Sequence, residues 1–223
     1  MAAEVAVYQL GIVLREVDPT VWRRVLVRSD TSLAALHLIV QAAMGWDDVH
    51  LHQFRIHGCL FGICKEGGIS FRNDPWKVRL ADFRLRLGER FVYEYDFGDF
   101  WQHDLRLEKV LPLDLKKTYP VCSAGEHACP PEDCGGPDAY REACLERYSM
   151  EASDDEYLVF QTLLRLRDEL NPAERFWAND AVQDALDRMK YRLKFDPDNF
   201  DRKLVNQRLR EVKREVQGAG GRG

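Results

Sequence analysis

Residues 91–111, FVYEYDFGDFWQHDLRLEKVL, constrain this chain more than any other stretch. Apolar and polar residues alternate with a period of two on both sides of Gly98-Asp99, the pattern of two half-buried strands joined by a turn. Two strands with one apolar face need further strands beside them and a layer of helix or sheet over that face. The turn also gathers Asp96, Asp99, Trp101 and His103 into a short span. Alternation gives Asp99, Trp101 and His103 a common parity, so they are expected to face one hollow.

Upstream, residues 5–17 and 22–28 read as an opening hairpin separated at Asp18-Pro19, because proline lacks a ladder donor and biases its predecessor away from helix. Asp30-Thr31-Ser32 supplies capping oxygens for a helix whose apolar residues Leu33, Leu36, Ile39, Val40, Ala43 and Met44 recur at three- and four-residue spacing, and Gly45 stops it. Residues 50–56, HLHQFRI, read as a strand with His50, His52, Phe54 and Ile56 on one face. A turn at His57-Gly58 leads to Leu60-Phe61, and residues 77–83, KVRLADF, suit a short strand or a helical turn. The order hairpin, helix, strand, short connection, strand predicts an α+β fold: a β-grasp-like mixed sheet with one long helix.

A Pro/Cys-rich loop follows at 119–137, then helical patterns at 138–148, 157–170 and 173–192. A last amphipathic helix carries Phe200, Leu204, Val205 and Leu209. On this reading residues 1–148 form the core domain, 149–217 a helical extension packed on it, and 218–223 a disordered tail.

Charge and cysteine usage narrow the function classes. The net charge of -5 argues against a body that grips nucleic acid mainly through phosphates. Its distribution is uneven: residues 120–160 carry ten acidic and two basic side chains, whereas residues 191–223 carry nine basic and five acidic ones. That basic end suits an acidic partner, or the acidic segment of its own chain. No run is long and apolar enough to span a bilayer and no leader pattern is present, so a cytoplasmic protein without membrane contact is expected. Six cysteines in that compartment are thiols or metal ligands rather than disulfides.

Four constellations could carry chemistry. Cys122, His127, Cys129 and Cys134 offer the donors a structural zinc prefers, but the spacing contains no C-x2-C knuckle, and reduced cysteines packed as small hydrophobes are the leading reading of them. His50 and His52, with Asp96, Asp99 and His103, could chelate one ion with an open position for water, or could simply be satisfied within the sheet and its turn. Glu132 and Asp133, held between prolines and glycines, form a rigid acidic turn placed to cover the hairpin or to cap the next helix. Arg23, Arg24 and Arg28, and separately Arg202, Lys203, Arg208, Arg210, Lys213 and Arg214, could follow a phosphate backbone. Phosphate-loop, dinucleotide and serine-hydrolase signatures are missing from the sequence.

Several motifs in one order carry a family resemblance: VWRR at 21–24, LHLIVQAAMGWDDVHLHQF at 36–54, KVRLADF, YEYDFGDFWQHDLRLEKVLP, YPVCSAGEHACPPEDCGGP and a closing FDPDNFD. Together they resemble the plasmid pRi ORF-three-like family, the TnpR-type passenger proteins of insertion sequences. The resemblance implies an α+β fold and a link to mobile elements. With no complete catalytic signature, a non-enzymatic binding or accessory module with a protein or small-molecule partner is the leading expectation. Its candidate ligand-binding residues are His50, His52, Asp96, Asp99, Trp101, His103, Glu132 and Asp133. The alternatives are a metal-dependent hydrolase or nuclease using His50, His52, Asp99 and His103, and a DNA-associated protein using its basic C-terminal helix. No cofactor is required by the sequence; zinc is the candidate the cysteines admit.

Overall fold

The structure, a computed structural model, describes residues 4–64, 70–148, 154–166 and 172–219. In chain order its elements are β1 (Ala6–Leu14), β2 (Trp22–Arg28), α1 (Leu33–Met44), β3 (His52–Ile56), β4 (Cys59–Phe61), a 3₁₀ turn (Leu80–Phe83), β5 (Arg90–Tyr95), β6 (Trp101–Pro112) and β7 (Val121–Glu126). Five helices follow: α2 (Gly136–Tyr148), α3 (Asp154–Leu166), α4 (Pro172–Trp177), α5 (Asp180–Lys194) and α6 (Arg202–Ala219). The chain divides into two compact units, residues 1–138 with 198–223, and residues 139–197.

The first unit is built on a seven-stranded sheet in the order β4-β3-β5-β6-β1-β2-β7. The α+β class expected from sequence is the class observed. The expected mixed sheet is not: every strand pairing is antiparallel. The reason lies in the central hairpin. Its reverse turn delivers β6, not a strand of the opposite sense, to the edge of β1, and a parallel pair would have required a crossover at that point.

Register stacks the core in rows, because residues directly opposite on antiparallel strands share a face. One row runs His52, Tyr95, Trp101; the next runs Phe54, Tyr93, His103, Leu14; a third runs Phe91, Leu105, Ile12. All ten of these residues are buried. Helix α1 lies among them. Ser32 caps it by accepting the Ala35 amide, and Gly45 ends it in the left-handed region, with only Leu38 half-buried among otherwise buried residues. Helix α6 packs on α1 and on β7, where Asn206 exchanges hydrogen bonds with the backbone of Cys122.

The other face of the sheet is a polar network. Glu94 is buried there, accepting from Gln53, Arg55 and Gln102. Where β6 carries one residue more than β1, between Gln9 and Leu10, the extra Glu108 accepts from Gln9 and Arg24.

In the second unit, α3, α4 and α5 pack on one another around Leu166, Phe176 and Val182, with Val159 and Leu186 against them. The single helix expected at 173–192 is two helices, because the Asn179 side chain and carbonyl accept the Val182 amide and start α5 afresh. The expected tail at 218–223 lies, from 220 onward, outside the described residues.

Candidate functional site

A loop of residues 129–136 lies over the turn between β5 and β6, held by four hydrogen bonds. The Trp46 indole donates to the Pro130 carbonyl at 2.8 Å while its ring stacks on Tyr95 at 5.0 Å. Tyr95 donates to Glu132 and accepts the amides of Val49 at 3.1 Å and His50 at 3.3 Å. Glu132 also accepts the Asp47 amide at 3.0 Å, and Asp99 accepts the Gly135 amide at 3.1 Å. At Gly136 a Cβ would sit 2.7 Å from the Asp99 carbonyl oxygen, and φ is +84°, so glycine is required there.

Asp96 closes the hairpin turn. Its φ is 56°, its Oδ1 accepts the Gly98 amide at 2.9 Å, and its Oδ2 lies 3.6 Å from His50 Nε2. Asp133 reaches the same nitrogen from the covering loop, at 2.9 Å. His50, Asp96 and Asp133 therefore each present one ligating atom, all within 4.8 Å of one another. Asp96 is nearly buried and His50 half-buried, whereas the Asp133 side chain is 72% exposed, so the cluster opens to solvent on the loop side.

The remaining expected residues go elsewhere. Trp101 and His103 do not line a hollow with Asp99: they are 1% and 0% exposed, in the core beneath α1. Strand β6 begins at Trp101, so Asp99 lies in the turn, where the period-two parity that grouped the three no longer applies. Burial drives the His103 pKa down to about 3, which keeps the imidazole neutral. His103 packs edge-on against Trp46 and beside Tyr93. His52 starts β3, buried, whereas His50 lies outside the strand, so the two histidines join different clusters. The hydrolase set His50, His52, Asp99 and His103 is thus not assembled in one place.

The cysteine set also diverges. Cys122 is buried on β7 with its thiol directed to the Ala124 carbonyl, and His127 meets the Thr20 carbonyl at 2.9 Å. Among the described residues, no three of Cys122, His127, Cys129 and Cys134 bring ligating atoms within 4.8 Å of one another. Burial raises the thiol pKa of Cys122 and Cys129.

Of the basic residues, Arg23 is buried: it donates to the carbonyls of Ala43, Trp22 and Glu126 and lies over the Phe200 ring. Arg24 pairs with Glu108 and Arg28 with Asp30. On α6, Arg202 donates to the Ser123 carbonyl and Arg208 lies 3.7 Å from Asp47, which leaves Lys203, Arg210 and Arg214 on the exposed side.

Sequence reasoning missed a buried polar group beside the site. His37, in the middle of α1, meets the Tyr93 hydroxyl through Nδ1 at 2.8 Å and Asp48 through Nε2 at 2.9 Å. Gln41, one turn on, donates to the same hydroxyl and accepts the Asp48 amide. The signal was present: a histidine and a glutamine four apart on an otherwise apolar helix face share one side of it, and a buried polar pair of that kind requires partners.

Comparison with known proteins bears on these residues as a whole. The profile of the family described as Plasmid pRiA4b ORF-3-like protein matches residues 6–204. The Uncharacterized protein y4hQ of Sinorhizobium fredii is 39% identical over 140 residues, 62% of this chain and 72% of that protein. A crystal structure of a protein of unknown function, MM3350 from Methanosarcina mazei Go1, is similar with a TM-score of 0.62 at 30% identity, covering 90% of this chain and 98% of that one.

Proposed function

Because the chain belongs to the plasmid pRiA4b ORF-3-like family, we propose that it is a binding module of that family whose ligand-facing surface is the rim formed by His50, Asp96 and Asp133. The observation that carries this reading is the convergence of one imidazole nitrogen and two carboxylates from the connection after α1, the β5–β6 turn and the covering loop. The ligand is a cation. Asp47, Asp99 and Glu132 surround the cluster, so the local field is negative, and a set dominated by oxygen donors suits a hard divalent ion such as Mn²⁺. Glu132, latched to Tyr95, holds the covering loop in place for Asp133.

Titration with Mn²⁺, followed by NMR line broadening, tests the reading. Saturable broadening should centre on His50, Asp96 and Asp133 and disappear in Asp133→Asn. Broadening spread over the acidic surface without saturation overturns it. So does divalent-dependent turnover of phosphodiester, peptide or ester substrates that Asp133→Asn abolishes.

A further inference from the structure

We propose a second, more deeply placed metal site: His37, Asp48 and His52 bind a first-row divalent transition ion of the zinc or ferrous class. Each supplies one ligating atom, and these lie within 4.8 Å of one another. They come from three elements, the middle of α1, the connection after it and the first residue of β3. The site shares no residue with the rim.

The imidazoles of His37 and His52 stack 3.5 Å apart and within 7° of parallel, so one ring must turn about its side-chain bonds to bring both in-plane lone pairs onto one ion, and Asp48 Oδ1 meets His37 Nε2 at 2.9 Å. Two imidazoles and one carboxylate are the protein donors of zinc and non-haem iron sites that keep a further coordination position open. His37 and His52 are 0% and 2% exposed, while the Asp48 side chain is 29% exposed, so an ion enters from the Asp48 side and loses most of its water on the other.

Outer contacts orient the ligands. Tyr93 fixes the plane of His37 through Nδ1, and when Nε2 holds an ion the ring proton sits on Nδ1 with the Tyr93 oxygen as its acceptor. Gln41 steadies both that hydroxyl and, through the Asp48 amide, the loop that carries the carboxylate. On binding, the direct contact of His37 Nε2 with Asp48 Oδ1 at 2.9 Å is exchanged for bonds to the ion.

The test is reconstitution of chelator-treated full-length protein with Co²⁺. Wild type should take up about one tightly held equivalent with visible d–d absorption and no sulfur charge-transfer band. Asp48→Asn is the informative variant, since asparagine is isosteric and tolerates the φ of 56° found there. It and His52→Gln should each lower Co²⁺ affinity by more than the roughly 10- to 100-fold expected for Tyr93→Phe, with far-UV circular dichroism unchanged. Asp133→Asn should leave this absorption intact, which separates the site from the rim. Failure to bind Co²⁺, an undiminished spectrum in Asp48→Asn, a thiolate band, or loss of the signal in Asp133→Asn would each overturn the proposal.

Discussion

The Tyr95 hydroxyl donates to Glu132 while accepting the amides of Val49 and His50, so one phenol ties the end of β5 to the connection after α1 and to the covering loop. Burial and the neighbouring carboxylate both raise its pKa, which keeps it a donor at every pH the fold survives. Tyr95→Phe removes the donor to Glu132 and the acceptor of two amides together. A loss of about 1–3 kcal/mol is expected, since unsatisfied buried groups cost more than a hydrogen bond contributes. Urea unfolding measures the loss, and hydrogen exchange at Val49 and His50 should quicken. An unchanged midpoint with unchanged exchange would show that the latch holds nothing.

His103 gives the protein a pH dependence of known sign. Its folded pKa is about 3 against the ordinary 6.5 of a histidine, so between those limits the unfolded chain binds a proton that the native state does not. Stability contributed by the neutral ring is therefore complete above the unfolded value and is lost as pH falls toward the folded one, by about 1.4 kcal/mol per pH unit. His103→Leu should flatten the stability profile between about pH 6 and pH 4 while changing little at pH 7. Chemical denaturation across that range decides it, and an identical acid slope in the variant contradicts the burial argument.

How much of this was legible in the sequence depended on whether the signal was local. The hairpin around Gly98, the Ser32 cap and the Gly45 stop obey short-range rules, and they stand where alternation and capping place them. Glu132 and Asp133 lie beside the hairpin turn, one of the two places their rigid acidic turn suits. What failed was inference across a boundary: strand parity was extended from β6 back through the turn to Asp99, and from β3 back to His50. The His37 cluster was not seen because its partners, Asp48, His52 and Tyr93, are brought together only by the packing of α1 on the sheet. The sheet's uniform antiparallel sense likewise follows from which hairpin strand meets β1, a tertiary choice that element order does not determine.

Arg23 is one of the basic residues that could follow a phosphate backbone, but its buried position gives it a structural role. It donates to three carbonyls at 2.7–3.0 Å and lies 4.5 Å from the Phe200 ring centre, joining β2, α1, β7 and the approach to α6. A lysine cannot reproduce that fork of donors, so Arg23→Lys should cost about 3 kcal/mol or more. Gly125 guards the same contact, since a Cβ there would lie 2.6 Å from the Phe200 ring, and Gly125→Ala should cost about 1–3 kcal/mol by overpacking. Thermal unfolding checks both. A destabilisation by neither change would mean that α6 is not anchored through this contact.

The thiols should differ in reactivity in an order set by exposure. Thiolate is the reactive form, and burial raises the pKa of Cys122 and Cys129, whereas Cys59 and Cys64 are exposed. Brief alkylation of native protein, with labelled peptides identified by mass spectrometry, should mark Cys59 and Cys64 well before Cys122 and Cys129. Prior treatment with a chelator should not change that order, because the ligating atoms of Cys122, His127, Cys129 and Cys134 do not converge on one point. Acceleration of Cys122 and Cys129 by the chelator would return the metal to the cysteines and count against its assignment to His37, Asp48 and His52.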